Sequence, residues 1–102
     1  MKKKPNVLMI LTDQFNPNCL GFLGSQVKTP NLDRLADEGV YFPNGFCNAP
    51  ICGPSRASYI TGQYPRTHRI HGNRIFEMND RNEHTLSAVF RRSGYETSLV
   101  GK

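Results

Sequence analysis

The hydrophobic pattern of the chain predicts short strands that alternate with helices. Residues 6–11 are predicted to form a strand, because Asn6 is followed by a continuous apolar run that ends at Thr12 and Asp13, a pattern typical of a strand buried on both faces of a parallel sheet. The apolar residues 40–42 also favour a short strand, and a further strand is predicted at residues 96–100. Because ligands of open α/β sheets bind beyond the carboxyl ends of the strands, Asp13 lies where a site is expected.

Helix signals occur between these runs. In residues 29–39, Thr29 is a suitable N-cap, Pro30 fits the first turn and Gly39 suits the position after the end. The apolar side chains of this segment recur at helical spacing on one face, which supports the same assignment.

Two more helices are predicted downstream. One covers residues 54–61 and is closed by Gly62, and the other is capped by Thr85 and stopped by Gly94. Residues 14–28 contain several Asn, Gly and Pro breakers and predict a loop. The order of elements therefore predicts an α/β fold without internal repeats.

Composition and charge argue against one class of partner, nucleic acid, and leave most other functions open. The formal net charge is +5 over 102 residues, and 37% of the residues are hydrophobic. Apart from the runs at residues 2–4 and 91–92, the basic side chains are scattered, so a nucleic-acid partner is not expected. The excess positive charge suits an anionic substrate.

Targeting and cysteine usage predict a cytoplasmic protein without a membrane segment. The apolar run at residues 7–11 is shorter than the ~7 residues that a signal peptide needs, and nothing approaches the ~20 of a membrane span. A periplasmic or secreted location is expected only if an upstream leader is missing. Cys19, Cys47 and Cys52 form no zinc-binding spacing, and their odd number argues against a disulfide framework.

The most informative segment runs from Cys52 through Pro54, Ser55 and Arg56 to Thr61 and Gly62. A cysteine just before a helix that begins with proline lies in the field of the helix N-terminus, which attracts anions. Arg56 follows within one turn and suits a charge-assisted contact to the same anion. The residues alone thus indicate an anion site with a reactive sulfur, and the competing interpretation is a buried structural cysteine beside a surface arginine.

The same segment resembles a known family. The pattern Cys-x-Pro-Ser-Arg, followed after four residues by Thr-Gly, matches the signature of type I sulfatases in the alkaline-phosphatase-like superfamily. Four surrounding segments are also similar to the family. Residues 6–14 resemble its first strand and metal-ligand turn, and residues 29–36 resemble its first helix. Residues 62–65 continue its signature, and residues 94–102 resemble the strand that leads to its sulfate-binding lysine. The resemblance covers nearly the whole chain.

The resemblance implies a fold and a covalent mechanism. The fold would be the N-terminal part of a mixed, mostly parallel sheet flanked by helices, with residues 1–102 as an incomplete portion of the catalytic domain. Cys52 would be oxidised by a maturation enzyme to formylglycine, whose hydrated aldehyde attacks the sulfur of a sulfate monoester. The substrate would be a small-molecule or carbohydrate sulfate ester.

The resemblance also assigns roles to single residues. Arg56 would hold the hydrate, and Lys102 would contact the sulfate as a point charge on the transferring group. Asn73, twenty-one residues after Cys52, occupies the place of an amide that contacts the substrate anion in a subgroup of the family.

A divalent cation is expected as the cofactor. Asp13, Gln14 and residue 52 would be its ligands, and Ca²⁺ is the usual ion, with Mg²⁺ or Mn²⁺ as alternatives. Many sulfatases carry two acidic residues where this chain has Asp13 and Gln14, so the amide supplies one charge less. His68 and His71 flank a loop after the signature, where either a pocket-lining role or an ordinary surface position is open.

Two alternatives to a sulfatase remain. A phosphonate or phosphate ester hydrolase of the same superfamily would use the same tetrahedral oxyanion site, although Lys102 favours sulfate. A non-catalytic fragment with an unmodified Cys52 is the second. The remaining metal ligands and the general acid of the family lie beyond residue 102, so the isolated chain is expected to be inactive and poorly folded.

Overall fold

The computed structural model describes residues 4–73 and 84–102. The chain divides into two compact units, Met1–Asn44 and Gly45–Lys102. The first unit contains two single 3₁₀ turns, Pro17–Cys19 and Gly21–Leu23, and helix α1, Pro30–Glu38. The second contains three helices: α2, Cys52–Thr61; α3, Pro65–His68; and α4, Leu86–Arg92.

The first unit is held together around the beginning of α1. The hydroxyl of Thr29 accepts a hydrogen bond from the Gly21 N–H at 2.7 Å and donates one to Oδ1 of Asp33 at 2.7 Å. The same Asp33 oxygen accepts from the Phe22 N–H at 3.1 Å. Thr29 is therefore the N-cap residue, as predicted, but its hydroxyl fastens the preceding 3₁₀ turn to the helix and makes no capping bond within α1.

The end of α1 at Gly39 differs from the prediction in its backbone conformation. Gly39 has φ −120°, which is extended and open to any residue. Glycine is favoured at this position because there is no room for a side chain: a Cβ atom would lie 2.8 Å from the carbonyl oxygen of Leu35. The predicted stop is correct, and its cause is a close backbone approach.

In the second unit, α2 packs against α3 and α4. Pro54, Ala57 and Ser58 of α2 are buried, and so is Thr85 at the start of α4. The helix predicted at residues 54–61 begins two residues earlier, at Cys52, and ends as expected at Gly62, whose φ of 67° is left-handed. Buried small residues let the neighbouring helices approach α2 closely.

Helix α4 follows its sequence signals. The Thr85 hydroxyl accepts a hydrogen bond from the Ala88 N–H at 3.3 Å, as expected of an N-cap. After the helix, the ring of Tyr95 meets that of Phe90 edge to face, with centroids 5.1 Å apart. Helix α3 was not predicted, because four residues are too few to show apolar periodicity.

The predicted strands are not confirmed. Residues 6–11, 40–42 and 96–100 have no regular secondary structure, and no strand is present in the part of the chain that the structure describes. Their apolar side chains are open to solvent, with Leu8 84% and Val100 94% exposed. A strand of this kind needs hydrogen-bonding neighbours and cover on both faces, and the described residues supply neither.

The described helices are also too short for a bilayer. Helix α2, with 10 residues, is the longest of them, and none of the described helices combines the length and the apolar character needed to cross a membrane.

Candidate functional site

Cys52 is the first residue of α2. Ile51 precedes it in an extended conformation, and the Ile51 carbonyl accepts the first helical hydrogen bond from the Ser55 N–H at 3.0 Å. The Cys52 thiol is half-buried and forms no disulfide. The residue therefore lies at the positive end of the α2 helix dipole, which favours negative charge.

The residue after Cys52 is contacted by a loop from outside the helix. The Gly53 N–H donates to Oδ1 of Asn73 at 2.7 Å. A Cβ atom on Gly53 would lie 2.7 Å from the carbonyl oxygen of Gly72, closer than real Cβ contacts allow. The loop therefore brings Asn73, an expected substrate-binding residue, directly beside the start of α2.

Arg56 lies one helical turn after Cys52, so both side chains project from the same face of α2. Its guanidinium donates from a terminal nitrogen to the main-chain oxygen of Lys102 at 3.3 Å. The second unit thus gathers four of the residues expected from the sequence around the beginning of one helix: Cys52, Arg56, Asn73 and Lys102. The bond from Arg56 reaches the backbone of Lys102.

His68 forms a pair with Ser58 that sequence analysis did not predict. Nε2 of His68 lies 3.0 Å from the Ser58 hydroxyl, and its Nδ1 accepts a hydrogen bond from the Ile70 N–H at 3.1 Å. The Ser58 hydroxyl itself donates to the Pro54 carbonyl at 2.9 Å. Ten residues separate the two partners, and neither the spacing nor the residue types single them out in the sequence.

This pair is not a nucleophile and base. Since Nδ1 of neutral His68 is an acceptor, its proton is on Nε2, which donates to Ser58. Such a tautomer has no lone pair available to take the Ser58 proton, and the hydroxyl is buried. The pair instead fastens α3 to the middle of α2. His71, the other histidine considered for the pocket, is exposed.

Asp13 and Gln14 belong to the first unit, in a bend that follows the apolar residues 7–11. Both side chains are exposed, and Gln14 has φ 48°, a left-handed conformation that is uncommon outside glycine. A carboxylate and an amide oxygen are ligands that suit a hard cation such as Ca²⁺. Among residues 4–73 and 84–102, no group of three or more His, Cys, Asp or Glu side chains could hold a metal.

Comparisons with known proteins agree on one family. The family model described as Sulfatase matches residues 5–102. The chain is 42% identical over 100 residues to an ulvan-active sulfatase of Formosa agariphila. The aligned region covers 97% of this chain and 19% of that protein.

Two further relatives are similar over the same region. An arylsulfatase of Clostridium perfringens is 38% identical, covering 97% of this chain and 21% of its own length. An iduronate 2-sulfatase of Mus musculus is 38% identical, and the aligned region covers 95% of this chain and 18% of that protein. The chain thus spans about a fifth of the length of these relatives. No solved structure matches it significantly.

The resemblance inferred from the motif at Cys52 is therefore confirmed over almost the full chain. That family implies an alkaline-phosphatase-like α/β fold, of which the described residues show the helices. With a matching family model from residue 5 to residue 102, the chain belongs to the Sulfatase family.

Proposed function

We propose that the protein is a sulfuric ester hydrolase whose nucleophile derives from Cys52. One observation carries this proposal: in a chain of the Sulfatase family, Cys52 opens α2 and Arg56 follows one turn later on the same face. The sulfur lies at a helix N-terminus, which favours a developing negative charge, and the Arg56 guanidinium on the same face adds a positive charge.

The proposed chemistry begins with maturation. A maturation enzyme uses a two-electron oxidant such as molecular oxygen to oxidise Cβ of Cys52: the C–S bond breaks, the sulfur leaves as sulfide, and a C=O bond forms. Water then adds to this aldehyde to give a geminal diol. One hydroxyl of the diol attacks the sulfur of the ester, the S–O bond to the alcohol breaks, and an enzyme-bound sulfate ester forms. The second hydroxyl then loses its proton, the carbonyl re-forms and sulfate leaves.

This two-step route explains why a thiol-derived aldehyde suits the position better than serine. A serine ester of sulfate would need water to attack a hindered sulfur. The diol releases sulfate by breaking its own C–O bond, so that no second attack at sulfur is required.

Two side chains of the second unit support the anion in this proposal. Arg56 holds the diol and the charge that develops on it, and Lys102 contributes a point charge to the sulfate. Arg56 donates to the main-chain oxygen of Lys102, the last residue of the chain, which supports a shared location for both residues. Lys102 also favours a sulfate substrate over a phosphonate.

Asp13 and Gln14, together with residue 52, are proposed ligands of a divalent cation. The donor set of carboxylate, amide and hydroxyl oxygens fits Ca²⁺, and Mg²⁺ or Mn²⁺ are alternatives. A bound cation would offset the negative charge of the ester oxygens. The left-handed backbone of Gln14 is consistent with a residue held for function, since such conformations concentrate at functional sites.

The substrate class is a sulfate ester of a carbohydrate or another small molecule. The names of an ulvan-active sulfatase and an iduronate 2-sulfatase among the relatives support a carbohydrate ester. A phosphonate or phosphate ester hydrolase is the second candidate, favoured by the pairing of Asp13 with an amide at Gln14.

The test compares three ester classes on one protein. The protein is produced in the full length that its source makes, together with a formylglycine-generating enzyme, and assayed with nitrophenyl sulfate, nitrophenyl phosphate and a phenyl phosphonate ester. Sulfate hydrolysis that is lost in Cys52→Ala supports the proposal. Turnover of the phosphonate alone would favour the second candidate, and turnover that survives in Cys52→Ala would exclude both.

A further inference from the structure

The contact between Gly53 and Asn73 has no counterpart in the chemistry assigned so far. The Gly53 N–H is one of the few first-turn donors of α2, because Pro54 has no N–H to offer. Its partner is a side-chain oxygen twenty residues away, at 2.7 Å. A polar link of this kind joins the start of the helix to the loop at residues 72–73.

The same loop also restricts the side chain at position 53. A Cβ atom there would meet the Gly72 carbonyl at 2.7 Å and Oδ1 of Asn73 at 3.1 Å. The first contact is with backbone, which yields much less readily than the end of a flexible side chain. Alanine at position 53 would therefore displace either the loop or the first turn of α2.

We propose that Gly53 and Asn73 form a clamp that positions residue 52 for attack on the ester. Both residues are needed. The missing side chain of Gly53 lets the loop approach, and the side-chain oxygen of Asn73 holds the first turn of α2 by accepting from the Gly53 N–H. Asn73 is thus a positioning residue, whatever else it contacts. The inference rests on the proposed function for its effect on catalysis.

The bond also fixes the orientation of the Asn73 side chain. Oδ1 accepts from the Gly53 N–H, and the Nδ2 hydrogens are the part of the amide that can donate to a further group. The amide therefore acts as a donor, the polarity that an anionic ester requires. An aspartate at this position would keep the bond to Gly53 and reverse that polarity.

The kinetic test uses Gly53→Ala and Gly72→Ala in the full-length matured protein. A Cβ atom on Gly72 would meet nothing within 4 Å, so this variant is the matched control. With formylglycine content measured for each protein, Gly53→Ala is expected to lower kcat about 10- to 100-fold with little change in KM, since misplaced reacting groups cost rate more than binding. An unchanged kcat, or an equal loss in Gly72→Ala, would overturn the clamp.

Amide exchange tests the clamp independently of activity. Hydrogen exchange at the Gly53 amide should accelerate about tenfold in Asn73→Ala and stay near the parent rate in Asn73→Asp, whose carboxylate still accepts the bond. Equal exchange in all three proteins would overturn the proposal. If the parent hydrolyses no sulfate ester, the proposed function fails, and the Gly53 exchange rates still decide the clamp.

Discussion

The hydroxyl of Ser58 lies 3.0 Å from Nε2 of His68 and donates its own proton to the Pro54 carbonyl. Nδ1, the other ring nitrogen of His68, accepts a hydrogen bond from the Ile70 N–H. Both ring nitrogens and the Ser58 hydroxyl therefore have a hydrogen-bond partner. The pair joins α3 to the helix that begins with Cys52. It therefore acts on the candidate site through the position of α2.

Replacing Ser58 with alanine should destabilise this connection. The variant leaves the His68 Nε2–H without its partner, at a cost of about 1–3 kcal/mol. Alanine's higher helix propensity offsets up to about 0.7 kcal/mol, so a net loss of about 1 kcal/mol in the free energy of unfolding is expected from denaturant titration.

Ser98→Ala is the control for this substitution, because Ser98 is exposed. A double-mutant cycle with His68→Ala should give a coupling energy of about 0.5–1.5 kcal/mol between the two side chains. Additive effects of the two single variants would show that the pair does not interact.

Asp33 should contribute more to the first unit than Asp37 of the same helix. Asp33 accepts from the Thr29 hydroxyl and the Phe22 N–H, and it lies in the first turn of α1, where the helix dipole favours a negative charge. Asp33→Ala is expected to lower the free energy of unfolding by about 1–2 kcal/mol.

Asp37→Ala is the matched control, because its carboxylate is exposed near the negative end of the same helix dipole. Removing that charge should be neutral or slightly stabilising. Equal losses for the two variants, measured by the same denaturant titration, would contradict the network around Thr29.

Thr85 should behave as an N-cap of α4. Thr85→Ala removes the acceptor of the Ala88 N–H and is expected to destabilise the protein by about 1 kcal/mol. Thr85→Ser keeps the hydroxyl and should recover most of that loss. Hydrogen exchange of the amides in residues 86–92 would measure the stability of α4 in both variants. An equal loss of stability in Thr85→Ser and Thr85→Ala would contradict the capping role of the hydroxyl.

Arg56→Lys should impair catalysis although it preserves charge. Lysine lacks the planar fork of donors that suits an oxyanion. A loss in kcat of about 100-fold is expected for sulfate ester hydrolysis. Arg92→Lys, on the exposed part of α4, is the control and should leave kcat unchanged.

Formylglycine content must be measured for both arginine variants, because Arg56 is part of the motif that the maturation enzyme reads. Rates are then compared per aldehyde. If Arg56→Lys matches the parent on that basis, Arg56 serves maturation alone and has no role in turnover.

Sequence patterns located the helices because their signals are local. Thr29 and Thr85 begin helices at the predicted residues, and Gly62 ends one, since caps and left-handed stops depend on a few neighbouring residues. Helix α3 escaped prediction because a single turn shows no periodicity. The strands predicted at residues 6–11 and 96–100 depend on partners elsewhere, which the described residues do not supply.

The sequence proposed the members of the candidate site but not the contacts among them. The motif around Cys52 and Arg56 identified the family, and that family suggested Asn73 and Lys102. The bond from Gly53 to Asn73 and the pair of Ser58 with His68 join residues distant in sequence. Such contacts arise from tertiary packing, which no local spacing encodes.

The most direct test of the central claim is mass spectrometry of the peptide that contains Cys52. The 102-residue chain is co-expressed with a formylglycine-generating enzyme, digested and probed with an aldehyde-reactive hydrazine. Cys19 and Cys47, which are free thiols outside the motif, serve as internal controls. We expect an aldehyde at residue 52 and intact thiols at the other two positions. An unmodified Cys52, beside a converted reference peptide, would contradict a formylglycine mechanism.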